Sequence, residues 1–238
     1  MNDSASSGAD SSVTEIPTTA EALERLRSPL VEVMETQRSI RRLRPDPVDD
    51  ALLLRIIELA TKAPTGSNAQ NWEFVLVKDR TKKRQIGKLY QAAWKIYGGM
   101  GRRVRRDEAT LRIIKAVEYQ VEHFEEVPVV IVVCARGWKI PFVVPQPSVA
   151  YSTYYGSIYP AVQNLLLACR AVGLGAGLVT LPLWNKWAIK RILSLPLSVE
   201  PICIVPVGWP KGRYGPTSRK PAAEVVHLDR YGNRPFRQ

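Results

Sequence analysis

The longest apolar run of the sequence, VPVVIVVCA at residues 127–135, restricts the possible folds of the chain more than any other feature. It is far shorter than the roughly 20 apolar residues that a membrane-spanning helix requires. A run of this length that is rich in β-branched residues is typical of a strand inside a protein core. We therefore predict a buried strand here, which other elements must cover, and no membrane span.

Further strand patterns alternate with helical ones. WEFVLVK at 72–78 and VEPICIVPVGWP at 199–210 predict strands, whereas the spacing of apolar residues predicts two short helices between 21 and 37 and another that begins near Asp49 or Asp50. That helix should end near Pro64. Because no segment is repeated, the pattern indicates a sheet covered by helices, of the α/β or α+β class.

The sequence pattern does not settle the local structure of three segments. Residues 81–125 show helical periodicity interrupted by GGMGRRVRR, which we interpret as a mobile glycine-rich joint between helices. The helical pattern of 151–171 contains Pro160, which marks either a kink or the true start of the helix. The segment GLGAGLVTL that follows predicts a turn and a strand.

The length of 238 residues suits one well-buried domain or two small ones. We predict a single domain over residues 21–238, preceded by a disordered tail at 1–20, which has neither the basic start nor the apolar core of a signal peptide. The three cysteines lie far apart in apolar surroundings, which favours buried thiols in a reducing, cytoplasmic compartment. Two histidines without ligand spacing predict no bound metal.

Basic residues exceed acidic ones by 34 to 22, a formal charge of +12 that indicates either an anionic partner or a basic surface. A nucleic-acid-binding protein is the less favoured interpretation, since the charge is scattered and the known binding motifs are absent. The glycines of GLGAG at 173–177 have a helix before them and a strand after them, the reverse of a dinucleotide-binding fingerprint. We expect them to end a helix in the left-handed conformation.

Two polar segments are candidates for a ligand site. RSIRRLRPDPV, from residue 38, places several guanidinium groups on an extended stretch, and arginine binds phosphate in a bidentate manner. A solvated basic surface is the alternative for this segment. APTGSNAQNW at 63–72 collects small and amide side chains, which serve equally for a turn or for contacts to a ligand.

Taken in order, RSIRRLRPDPV, APTGSNAQNW, AVQNLLLACRAVGLGAG, EPICIVPVGWP and SRKP resemble the nitroreductase family of oxidoreductases, which depend on flavin mononucleotide (FMN). The resemblance spans roughly residues 30–232. It implies an α+β fold with a central, mostly antiparallel sheet covered by helices. It also implies a homodimer with an extended C-terminal tail and flavin sites between the subunits.

The resemblance assigns Arg38, Ser39 and Arg41 to the ribityl phosphate and pyrimidine side of the flavin. It assigns Asn68 to the isoalloxazine and Arg219 to the phosphate. The residues that it places at the cofactor are Arg38, Ser39, Arg41, Arg42, Thr65, Gly66, Ser67, Asn68, Gln70, Leu178, Val179, Thr180 and Arg219. Two positions depart from the common family pattern. Asn71 stands where proline is usual, and Thr180 where some members carry glutamate.

The implied reaction is ping-pong transfer of hydride from NADPH or NADH through FMN to a nitroaromatic or quinone-like acceptor. Because the flavin carries the chemistry, no catalytic side chain is assigned. The alternatives are dehalogenation or flavin cleavage on the same fold, or a flavin-binding sensor without turnover. Two further hypotheses are that the arginines of 102–106 favour NADPH, and that Trp94, Tyr97 and Tyr119 stack on an aromatic substrate.

Overall fold

The computed structural model describes residues 16–104, 107–137 and 147–237. Its sheet contains β1 (Trp72–Val77), β2 (Val129–Arg136), β3 (Gly175–Ala176) and β4 (Val199–Gly208). The strand order is β1-β2-β4-β3, and each neighbouring pair is antiparallel. The fold class is therefore α+β, as the family resemblance implies.

Helices precede, separate and follow these strands. Within the described residues they are α1 (Thr19–Glu24), α2 (Leu30–Thr36), α3 (Asp50–Ala60), α4 (Arg80–Val104), α5 (Glu108–Glu122), α6 (Pro147–Ala171), α7 (Lys186–Ile192) and α8 (Ala222–Val225). Asp49 caps α3, because its side chain accepts hydrogen bonds from the backbone N–H groups of Ala51 and Leu52.

Strand β2 has a hydrophobic core on each of its faces. Ile131 and its alternate neighbours pack in one cluster with residues of α3 and α6, such as Leu53 and Leu165. Val132 and its alternate neighbours pack in a second cluster with residues of α4, such as Tyr90. Because successive side chains of a strand point to opposite faces, only a strand covered on both faces buries a continuous apolar run. The buried-strand prediction for 127–135 is confirmed.

The prediction of a joint at the glycines of GGMGRRVRR is wrong. Helix α4 continues through Gly98 and Gly99 to Val104, and α5 begins at Glu108. Burial of one helical face, which includes Ile86 and Tyr90, outweighs the roughly 1 kcal/mol that each interior glycine costs. Pro160 lies inside α6 and is not its start.

The predicted strand at GLGAGLVTL forms only in part, as the two residues of β3 and an isolated bridge between Val179 and Ile204. The expectation that the glycines end a helix is confirmed at Gly173, whose φ is +88°. Its N–H donates to the carbonyl of Arg170 (3.1 Å), and the N–H of Leu174 donates to that of Cys169 (2.8 Å). These two bonds are the Schellman arrangement that closes a helix C-terminus.

The cysteines Cys134, Cys169 and Cys203 are buried free thiols, as the sequence predicts. Burial raises the pKa of the Cys169 thiol to about 12. No helix among the described residues has the length and apolar character needed to cross a membrane. The same residues include no group of histidine, cysteine or acidic side chains placed to hold a metal ion.

Candidate functional site

The arginine loop, residues 38–44, lies along the edge of the sheet. The N–H of Ile40 donates to the carbonyl of Ala176 (2.9 Å), and the N–H of Arg44 donates to that of Trp209 (2.7 Å). The carbonyl of Arg42 accepts from the N–H of Lys211 (3.0 Å). Backbone bonds therefore fix the loop beside β3 and the end of β4.

Two glycines of GLGAG let the arginine loop approach the edge of the sheet closely. A Cβ on Gly175 would lie 2.7 Å from Cδ2 of Leu43 and 2.8 Å from Cγ2 of Ile40. A Cβ on Gly177 would lie 3.4 Å from Cβ of Ser39. The glycine spacing thus serves the packing of the arginine loop, a role that sequence reasoning missed because no local pattern reports a contact more than 130 residues away.

Arg38 and Arg41 are neighbouring cations with no acidic partner among the described residues. Burial lowers the pKa of the half-buried Arg41; the phenol of Tyr90 acts in the opposite direction, and the charge of Arg38 lowers that pKa further. Within the described part of the chain, no carboxylate lies within ion-pair distance of either guanidinium. Since a buried charge is costly unless it is paired, an anionic ligand would complete this site.

Arg42 has a different partner. Its guanidinium lies over the ring of Tyr119, 5.2 Å from the centroid, and Nζ of Lys211 donates to the phenol oxygen of the same tyrosine (2.6 Å). Tyr119 also stacks on His123, with ring centroids 4.0 Å apart. Arg42 therefore faces α5, and Tyr119, a suggested substrate contact, is occupied in this stack.

The amide loop, residues 65–70, sits on α6. The N–H of Gly66 donates to Oγ of Ser157 (3.1 Å), and that hydroxyl donates to the carbonyl of Thr153 (2.8 Å). Inside the loop, Nε2 of Gln70 donates to Oδ1 of Asn68 (3.1 Å). The pattern of the loop alone gave no reason to expect Ser157 and Thr153 as its supports.

Three residues of the amide loop adopt the left-handed conformation, which is uncommon for residues other than glycine. Their φ angles are 52° at Ser67, 53° at Asn68 and 46° at Gln70. Asn71, which follows the loop, accepts a bond from the N–H of Arg136 at its carbonyl (2.7 Å). Its side-chain Oδ1 is buried and has no hydrogen-bond partner among the described residues.

The segment 178–180 continues directly from Gly177, which lies against Ser39. Val179 exchanges two backbone hydrogen bonds with Ile204, at 2.8 and 2.9 Å, and the exposed Thr180 precedes a 3-10 helix at Leu181–Asn185. The arginine loop and the segment 178–180 are therefore adjacent.

The C-terminal segment, residues 215–219, passes beside the arginine loop. Gly215 lies near Arg38, because a Cβ at this glycine would be 3.8 Å from Nη1 of Arg38. Thr217 donates from both its N–H and its hydroxyl to the carbonyl of Glu35, each at 3.0 Å. Arg219 follows two residues later with an exposed side chain, and its Nη1 donates to the carbonyl of Ser218 (2.8 Å).

The candidate residues thus lie in two groups in the structure. The arginine loop, the segment 178–180 and the C-terminal segment form one group around β3 and α2, and the amide loop on α6 forms the other. Trp94 and Tyr97 lie on α4 with ring centroids 6.2 Å apart. The side chains of the arginines at 102–106 lie outside the described residues.

The model of the Nitroreductase family matches residues 34–209 of the chain. The chain belongs to the nitroreductase family. Among its relatives is an NADH dehydrogenase of Thermus thermophilus, 30% identical over 80% of this chain and 91% of the relative. An iodotyrosine deiodinase of Thermotoga neapolitana is 27% identical over 83% of this chain and 95% of the relative.

A solved structure of another nitroreductase-fold protein supports the same fold. It is an oxidised iodotyrosine deiodinase bound to FMN and 3-iodo-L-tyrosine, with a TM-score of 0.64 and 21% identity. The match covers 86% of this chain and 100% of that one. The family resemblance given by the ordered motifs is confirmed by the family model that matches residues 34–209.

Proposed function

We propose that this protein is an FMN-dependent oxidoreductase that passes hydride from NADPH or NADH through bound flavin to nitroaromatic or quinone-like acceptors, by a ping-pong mechanism. The observation that carries the proposal is the pair Arg38 and Arg41, held by a backbone-fixed loop without a carboxylate partner in the described chain. Family membership and relatives named as oxidoreductases support an enzyme of this class.

The residues present fit FMN. Its phosphate is a dianion, which suits two neighbouring guanidiniums, and Gly177 removes the side chain that would crowd Ser39. We propose that Arg38, Ser39, Arg41 and Arg219 hold the phosphate and pyrimidine side, with Arg42 adjoining them. Asn68 and its loop neighbours would hold the isoalloxazine.

When bound, FMN supplies the hydride chemistry. The work of the chain is to bind and orient the flavin and to offer positive charge to its pyrimidine side, which favours an anionic reduced form. The family resemblance implies a homodimer with flavin sites between the subunits, and we propose that each subunit contributes one of the two groups to each site. From the reduced, buried cysteines we further propose a cytoplasmic location.

The visible absorption spectrum of the purified protein tests the cofactor. We expect flavin bands that bleach on anaerobic addition of NADPH or NADH and return when a quinone is added. Initial-rate lines at several quinone concentrations should run parallel, as a ping-pong mechanism requires. A colourless protein that also fails to bind added FMN would overturn the proposal, and flavin bands that never bleach would favour the sensor.

Reductive dehalogenation is the second candidate, supported by the relative of Thermotoga neapolitana that is named iodotyrosine deiodinase. An assay with 3-iodo-L-tyrosine and chemically reduced protein decides between the two. We expect little iodide release relative to quinone reduction. Faster iodide release would replace the acceptor class proposed above while leaving FMN binding intact.

A further inference from the structure

A cleft of about 840 Å³ lies between the N-terminal segment, the C-terminus of α6 and the residues after β4. We call it the cationic cleft, after the basic residues in its lining: Arg25, Arg44, Arg170, Lys211 and Arg213. Glu32 is the carboxylate among its lining residues. None of the residues proposed to hold FMN lines it.

Two of these cations are fixed by partners. Arg170 donates from Nε to the hydroxyl of Thr36 (2.8 Å), pairs with Glu32 (3.4 Å) and lies over the ring of Tyr214, 4.2 Å from its centroid. Arg44 pairs with Asp46 at 2.9 Å. The wall of the cleft is therefore built by arginines whose charges already have partners.

Among the described residues, the remaining cations have no carboxylate within ion-pair distance, and Arg25 acts on Glu21 only as a longer-range charge. Lys211 donates to the phenol oxygen of Tyr119 (2.6 Å), and neither Arg25 nor Arg213 has a carboxylate within ion-pair distance in the part of the chain that the structure describes. Arg25 extends over Gly173, where any Cβ would lie 2.8 Å from its Nη1. The glycine that closes α6 thus also leaves room for a guanidinium at the cleft.

The size and lining of the cleft indicate the class of ligand. A volume of about 840 Å³ is within the range of small-molecule sites and far larger than a lone phosphate needs. Arginine forks match phosphate oxygens in a bidentate manner. Trp209, Pro210 and Ala171 add apolar surface for a flat or hydrophobic group.

We propose that the cationic cleft binds an organic phosphate of the nucleotide class, separately from FMN, with its phosphates at Arg25, Lys211 and Arg213. The lining of the cleft and the residues proposed to hold FMN have no member in common, although Arg44 ends the arginine loop and Gly173 precedes β3. Binding in the cleft therefore need not compete with the flavin.

Isothermal titration of the full-length, FMN-loaded protein with ATP, pyrophosphate and adenosine tests this proposal. We expect ATP to bind, pyrophosphate to bind more weakly, and adenosine to show no binding. Affinity for ATP should fall as salt rises from about 50 to about 500 mM, because exposed cations carry the interaction.

The decisive variant is Arg25→Gln/Arg213→Gln, which should weaken ATP binding at least tenfold. The matched control, Arg80→Gln/Arg112→Gln, removes the same charge from exposed sites on α4 and α5 and should leave ATP affinity within about twofold. Flavin absorbance should be unchanged in both variants.

Three results would overturn the proposal: no ATP binding by the unaltered protein, equal affinity in the cleft variant, or equal loss in the control. If Arg38→Gln abolishes ATP binding and the cleft variant does not, the nucleotide occupies the flavin site and the proposal is also wrong. A protein that binds no FMN yet binds ATP through Arg25 and Arg213 would contradict the proposed function and leave the cleft site standing.

Discussion

The arginine loop and the amide loop are both short polar segments between regular elements, yet the fold holds them by different means. Backbone hydrogen bonds to β3 and to the end of β4 fix the arginine loop. The amide loop is held through the hydroxyl of Ser157 and by bonds among its own residues, with three left-handed backbone positions. The difference separates a segment positioned by the sheet from one positioned by its own turn.

This difference suits the groups that the loops present. Charge recognition needs guanidiniums at fixed positions, because an ion pair that must reorder its partners loses much of its free energy. A loop that offers amides and close backbone approach can obtain its shape locally, at the cost of residues such as Ser67 in a sparsely populated conformation. Each of the following variants tests one side of this comparison.

The largest effect is expected from Arg38→Gln/Arg41→Gln. Loss of two charge-assisted contacts, each worth about 1.5 kcal/mol or more, should weaken FMN binding roughly 100-fold. Titration of flavin-free protein with FMN, followed by flavin fluorescence, measures the change. Arg42→Gln is the control, because that guanidinium lies over Tyr119, and it should alter FMN affinity less than about threefold. Equal weakening by the control would contradict the special role of the pair.

Gly175→Ala should displace the arginine loop from the edge of the sheet. The new methyl group would overlap Leu43 and Ile40, and overpacking of this kind costs about 1–3 kcal/mol. Urea unfolding measures the loss. In Gly177→Ala the new Cβ would lie 3.4 Å from its nearest neighbour, so this variant should lose clearly less free energy of unfolding than Gly175→Ala. If the two variants are equally stable, the close approach at Gly175 does not position the loop.

Ser157→Ala should loosen the amide loop by removing the acceptor of the Gly66 N–H. We expect a loss of about 1 kcal/mol in the free energy of unfolding, and weaker FMN binding. Ser152→Ala, an exposed serine of the same helix, gains the same helix propensity without touching the loop and serves as the reference. Identical behaviour of the two alanine variants would show that Ser157 does not support the loop.

Ser67→Gly should give the smallest change. Relief of a left-handed residue gains about 1 kcal/mol, and the extra freedom of glycine in the unfolded chain cancels part of it. A net gain of about 0.5 kcal/mol should appear in thermal unfolding, whereas Ser67→Ala keeps the strain and should not stabilise. A stabilising alanine would argue against a left-handed backbone at this position.

The sequence predicted more of the arginine loop than of its surroundings. Pro45 and Pro47 indicated an extended segment, and the cluster of arginines indicated a phosphate ligand, since both signals are local. The close approach of Gly175 to Ile40 is not local, and neither is the bond from Gly66 to Ser157. The extent of α4 was mispredicted for the same reason, because burial against the sheet overrides the local preference of Gly98 and Gly99.

By itself the sequence determined the class of the fold, the buried central strand and the family, because periodicity and ordered motifs are properties of the chain. Only the tertiary structure decided that Arg38 and Arg41 lack carboxylate partners in the described chain while Arg42 faces Tyr119. It alone assembled the cationic cleft from residues as distant as Arg25 and Arg213. The physical reason is that charge pairing and burial depend on distances in space, which the linear order of residues does not specify.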